Sequence, residues 1–295
     1  MKADELKKIF RCYGHFYRLH VEGIEPQLCR SVLEITSLPR EAVGAGTDPD
    51  DLFSNQTPLP FKWSSELNTT HPALTGTPPE EGNSKVPLLR RGARSAVTDG
   101  VGYTESKSPA ALEEKLNLPD AVVIMMNPGS SRPIEAGDTD SLLTMPLPTG
   151  FQKPLVLTQP DNTQYQIMRI MVSRDWKHVR VLNISDLRDP KSPSFIAKTK
   201  VLSELSGGDR HSLFSEARSA ERANMLKRKP GAPFILGWGQ DAGLIPLAKQ
   251  CLSRIEGEKI IAVPAGNDPA LTAHPSPMLQ RKKEEWLDAI LAATA

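Results

Sequence analysis

Four short stretches carry the residues that could do chemistry. They are Met126-Asn127-Pro128-Gly129-Ser130-Ser131, Asn183-Ile184-Ser185-Asp186-Leu187-Arg188-Asp189, Trp238-Gly239-Gln240-Asp241-Ala242 and Ala270-Leu271-Thr272-Ala273-His274-Pro275-Ser276-Pro277-Met278. Together they offer carboxamides, a histidine, hydroxyls and glycines. A carboxamide both donates and accepts, so it can read a polar edge in either sense. A histidine titrates near neutral pH and can donate to a group on which charge develops. No carboxylate dyad and no evident metal set stands out among them. Other constellations are weaker. Cys12 and His15 with His20 and Cys29 do not follow zinc-finger spacing, and strand alternation puts Cys12 and His15 on opposite faces. Ser130, Ser131 and Ser185 lack the Gly-x-Ser-x-Gly elbow of a nucleophilic serine. The run 237–243 lacks the full glycine spacing of a dinucleotide fingerprint. Arg90, Arg91 and Arg94 make a basic spot in a loop and read as solvated.

The elements that must position these stretches follow from periodicity. Residues 121–126 (AVVIMM), 179–183, 234–238 and 259–263 are short apolar runs that read as buried strands. Between them lie helical patterns at about 163–173, capped by Asp161 or Asn162, at about 211–228 and at about 242–255; a last helix spans about 279–293. Strand and helix in alternation predict an α/β fold: a three-layer sandwich around a mainly parallel, four-stranded central sheet. In such sheets ligands gather at the carboxyl ends of the strands, which is where the four polar stretches fall. Residues 9–21 alternate, with Tyr13, His15, Tyr17, Leu19 and Val21 on one side, and read as a strand paired with 28–35. Residues 37–119 hold ten of the 26 prolines and no sustained period, and predict a long loop-rich insertion ending in a short helix at about 109–117. The chain thus divides into an N-terminal extension, 1–119, and an α/β domain, 120–295.

Composition narrows the class further. The chain has 295 residues, 39% of them apolar and 24% charged, which suits a globular protein. The longest apolar run, 121–126, is too short to cross a bilayer. The first residues lack the apolar stretch of a signal peptide, and three cysteines leave one unpaired; both point to the cytoplasm. Thirty-six basic and 35 acidic residues nearly cancel, but 169–200 holds eight basic side chains against three acidic ones. A polyanion needs only such a local positive face.

The ordered set of motifs resembles the uracil-DNA glycosylase superfamily over about residues 120–295. Leu271-Thr272-Ala273-His274-Pro275-Ser276-Pro277 matches that superfamily's second motif almost letter for letter. Met126-Asn127-Pro128-Gly129 looks like the first motif of its mismatch-specific and single-strand-selective branches. Val181-Leu182-Asn183 resembles the middle strand whose terminal Asn reads the base. Trp238-Gly239 with Ala242 resembles the third strand and its turn, and Pro160-Asp161-Asn162 the helix start of the mismatch-specific branch. Four motifs in the family's order are more specific than any one alone.

The resemblance implies a monofunctional DNA glycosylase that flips a pyrimidine from the stack and hydrolyses its N-glycosidic bond, with no metal or other cofactor, acting on DNA as a monomer. Asn127 would position the water; an amide orients water but cannot take its proton, so slow chemistry is expected. His274 would donate to O2 of the departing base. Asn183 would read the base, as uracil or, flipped, as cytosine. Ser130, Ser131, Pro275, Ser276 and Pro277 would contact the DNA backbone, and Met278 would fill the gap left by the extruded base. Lys and Arg within 169–200 and 279–283 would supply phosphate contacts. Gly129 stands where the uracil-strict branch has a Tyr that excludes C5 substituents, so 5-substituted pyrimidines are expected substrates, bulky phage-type modified cytosine among them. Phe151 is the candidate stacking partner. DNA repair and antiviral defence are the expected settings. Two other readings fit the same residues: a non-catalytic nucleic-acid-binding module on this fold, and an enzyme of free nucleosides or nucleotides, which would not need Met278.

Overall fold

The computed structural model describes residues 1–38, 118–134, 143–144 and 155–295. The central strands form where the sequence is most apolar. β3 (Ala121–Met125) buries all five side chains and β6 (His178–Asn183) all six. Burial on both faces is what a central parallel strand requires. β7 (Phe234–Gly237) and β8 (Ile260–Ala262) complete a parallel set in the spatial order β6-β3-β7-β8.

The sheet does not stop at four strands, as the sequence reading expected. β1 (Phe10–Leu19) and β2 (Gln27–Ser37) form an antiparallel hairpin, and β2 pairs antiparallel with β6. Two short strands, β4 (Leu143–Thr144) and β5 (Val156–Leu157), pair with β1. The result is one eight-stranded mixed sheet. The hairpin joins β6 because the pairing matches side chains as well as backbone. Glu34 stands directly opposite Arg180. Its Oε1 accepts from Arg180 Nε and its Oε2 faces His178 Nε2, both at 2.7 Å. Burial opposes ionisation of Glu34, yet Arg180 and His178 outweigh it and hold the carboxyl below its ordinary range.

Helices cover both faces. α1 (Ala3–Ile9), α2 (Asn162–Arg174) and α6 (Gln280–Ala293) bury Leu6, Ile167, Met171, Trp286 and Ile290 with Val123, Val181 and Ile235 of the sheet. α3 (Ser192–Ser203), α4 (Ser219–Met225) and α5 (Ile245–Leu252) bury Phe195, Leu202, Met225, Ala248 and Cys251 with Val122, Ile124, Leu182 and Leu236 on the other face. Each buried Leu, Ile, Val, Met or Phe among them contributes about 1.5–3 kcal/mol. α2 starts where expected: Asp161 accepts from Thr163 N at 2.7 Å, and Gln164 Oε1 accepts from Asp161 N at 2.6 Å.

Two expected helices differ. The segment 211–228 is broken into 3-10 turns at Gly208–His211 and Glu216–Arg218 before the short α4. The break follows the buried side chains of His211 and Arg218, which turn inward toward polar partners. The 242–255 helix is a 3-10 turn, Ala242–Leu244, followed by α5 with Pro246 in its first turn. α3 was not expected; Pro193 opens it, but its sequence lacks a clear apolar stripe. The expected helix at 109–117 and most of the insertion lie outside the described residues. Among the described residues no helix is long and apolar enough to cross a membrane.

Candidate functional site

The carboxyl ends of β3, β6 and β7 lie side by side, so the polar stretches that follow them share one rim. Asn127 stands two residues beyond β3. Its Nδ2 donates to Leu187 O at 3.2 Å and to Asp189 O at 2.7 Å, both in the loop after β6. With both amide protons engaged, Oδ1 is left as the acceptor. An acceptor so held can orient a water but is far too weak a base to deprotonate it.

Asn183 closes β6 and is 1% exposed. Among the described residues neither its Nδ2 nor its Oδ1 has a hydrogen-bond partner. Leaving a buried polar group unpaired costs about 1–3 kcal/mol, so a carboxamide bare at both atoms calls for a ligand. Leu182 and Ile184 on either side pack into the layer of α3 to α5, which turns Asn183 to the face of α2 and α6.

His274 is held by the chain that returns from β8. Trp238 N donates to Thr272 Oγ1 at 3.1 Å and Trp238 Nε1 to Ala270 O at 2.9 Å; Ala273 N donates to Val263 O at 2.7 Å. Beyond it, Ser276 N donates to His274 Nδ1 at 3.1 Å. That bond occupies the Nδ1 lone pair and assigns the proton to Nε2. Burial holds the imidazole below its ordinary pKa, so the ring is a neutral donor. Pro275 is buried against Gly237: a Cβ on Gly237 would meet Pro275 Cδ at 2.8 Å and Cγ at 3.0 Å. Gln166 Nε2 donates to Pro275 O at 3.3 Å and to Lys283 O at 2.9 Å, tying the loop and α6 to α2. Ser276 and Pro277 are half-buried. Met278 is 100% exposed and Leu279 66% exposed, an apolar tip with no packing of its own.

Gly129 has φ +59, and among the described residues a Cβ there would meet nothing within 4 Å. The positive φ favours glycine, and the space beside it is open. Ser130 is exposed. Ser131 is buried, and its Oγ accepts from Arg30 Nη1 at 2.7 Å rather than facing solvent. Phe151 lies outside the described residues. Ser185 is fully buried and bonded to His211 Nδ1 at 2.8 Å, not to His274. Cys12 and Cys29 pack into opposite layers of the sheet. Among the described residues no group of three or more His, Cys, Asp or Glu could hold a metal ion.

The basic segment 169–200 is not one face. Arg174, Lys177 and Arg180 sit at the end of the sheet where β6 begins, opposite the rim, and Arg180 is buried against Glu34. Arg188 and Lys191 lie in the rim loop, and Arg281 and Lys282 are exposed just after Met278. Sequence reasoning missed Arg30, which is 1% exposed. The one available signal was a basic residue within a strand of alternating apolar positions. No family model matches the chain, and no curated protein and no solved structure matches it.

Proposed function

We propose that the chain is a DNA glycosylase of the uracil-DNA glycosylase kind, releasing an extruded pyrimidine and leaving an abasic site. The observation that carries this reading is the buried carboxamide of Asn183, bare at both atoms and set on the rim that also bears Asn127 and His274. A flipped base offers a Watson–Crick edge of alternating donors and acceptors, which one carboxamide can pair. The bond from the base nitrogen to C1′ breaks with its electron pair moving to the base. His274 Nε2–H donates to O2 as that charge develops. Asn127 Oδ1 accepts from a water below C1′; the water's oxygen bonds to the sugar cation and its proton passes to solvent. Met278 fills the vacated stack, and Arg281, Lys282 and Lys191 meet phosphate.

The open space at Gly129 supports acceptance of 5-substituted uracil or cytosine, bulky modified cytosine included. Such bases mark some phage genomes, so defence stands beside repair as the setting. The test is base release from oligonucleotides carrying uracil, thymine mispairs and a C5-modified cytosine series, read as alkali-labile sites. Sites formed by the native protein and lost in Asn127→Ala and His274→Ala support the reading. An amide rather than a carboxylate at position 127 favours one second reading, a module that binds without turnover. DNA binding with no release from any base would select it.

A further inference from the structure

The rim holds a fourth polar group, contributed by the N-terminal hairpin. Arg30 lies on β2 and is 1% exposed. Its one hydrogen bond from the guanidinium among the described residues goes to Ser131 Oγ at 2.7 Å, and its Nε has no partner. The carboxylate that acts on it most strongly, Asp161, accepts the N-terminal amides of α2 instead. Burial lowers the guanidinium to about 10, and Asp161 only partly offsets this. A buried cation with a bare N–H and no ion pair is expensive to keep, and a bound acceptor would repair it.

Its position says which acceptor. Arg30 N donates to Asp186 O at 2.9 Å, three residues past Asn183. Cys29 packs into the layer of α3 to α5, so Arg30 turns to the opposite face, the one that Asn183 occupies. The strand order is β2-β6-β3-β7-β8. His274 follows β8, and Thr272 beside it bridges to Gly239 after β7. A pyrimidine whose O2 meets His274 and whose N3–H and O4 meet Asn183 therefore turns its C4–C5 side, with the second lone pair of O4, toward β2.

We propose that Arg30 recognises an oxygen acceptor on the C4–C5 side of the extruded pyrimidine. This rests on the glycosylase reading and goes beyond it, because it names a specificity residue outside the motif-bearing segment. A guanidinium only donates, so it accepts no hydrogen bond from a 4-amino group. Two sources supply the oxygen: O4 of a uracil-type base, or a hydroxyl carried on C5.

The experiment compares the native protein with Arg30→Met and Arg30→Lys on oligonucleotides carrying uracil, thymine, cytosine, 5-hydroxymethyluracil and 5-hydroxymethylcytosine. Loss of a charge-assisted hydrogen bond predicts a fall on the order of 10- to 100-fold for the recognised substrate in Arg30→Met, with a smaller fall in Arg30→Lys. Collapse of the uracil-over-cytosine ratio assigns O4. Collapse of the hydroxymethyl-over-unsubstituted ratio assigns the C5 hydroxyl. Unchanged ratios with release intact overturn the proposal. Where Arg30→Met fails to fold by thermal melting, the same ratios in Arg30→Lys decide. Should the native protein release no base, the glycosylase reading falls, and calorimetry with free uracil and 5-hydroxymethyluracil decides Arg30 separately. Binding that Arg30→Met loses sustains it; binding that is equal in both, or absent in the native protein, overturns it.

Discussion

Replacing Asn183 by leucine, which is close in shape, removes two buried polar atoms that have no partner. The unfolding free energy in urea should rise by about 1–2 kcal/mol, while base recognition is lost. A merely structural asparagine would show the opposite sign. His274→Ala should lower base release on the order of 10²–10³-fold with little change in DNA affinity. His211 supplies a pH test of the fold. Burial first, and the neighbouring Arg218 second, lower its imidazole from 6.5 to about 4. Between those values the unfolded chain binds a proton that the folded chain refuses. This group's contribution is therefore full above its unfolded pKa and is lost as pH falls toward 4, by up to about 3 kcal/mol. Urea titrations at pH 7.5, 5.5 and 4.5 should show the decline, and His211→Gln should flatten it.

Among the elements, the end of β7 controls the loop that carries His274. Gly237 lets Pro275 approach its Cα, and a methyl there would have to displace the proline ring, with Met125 Sδ 3.4 Å away. Gly237→Ala should lower base release by at least about tenfold through misplaced His274, since misplacement by about 1 Å can cost 10²-fold. The salt dependence of DNA binding should stay unchanged, because it is set by the cationic side chains that meet phosphate and none of those is touched. The junction of β2 with β6 is the second sensitive element. Glu34→Ala removes the carboxylate that both Arg180 and His178 face. Breaking a buried pair from one side should cost about 3–5 kcal/mol in urea unfolding. The expected break between extension and domain had no means of seeing this pair, because its members are 146 residues apart.

At the scale of the whole molecule, one sheet joins both ends of the chain across the insertion. Deleting residues 1–38 would strip the pairing partner from one edge of β6, at 178–181, and remove Leu33, Ile35 and Phe10 from the α2 layer. The remaining chain should therefore fail to give a cooperative thermal transition, and a well-folded truncated protein would contradict this. The sequence by itself determined the β3, β6, β7 and β8 runs, the hairpin, the start of α2 and the polar stretches at the strand ends. These are local: apolar period, turn residues and capping chemistry act within a few residues. It misjudged the segment 211–228, where a helical pattern yields to the inward turn of His211 and Arg218. Tertiary structure alone decided that the hairpin extends the sheet, that Arg180 faces Glu34 rather than phosphate, and that Arg30 is buried against Ser131 with its Nε bare. Strand neighbours are chosen by pairing between distant segments, and a buried charge reveals its purpose only when everything around it is in place.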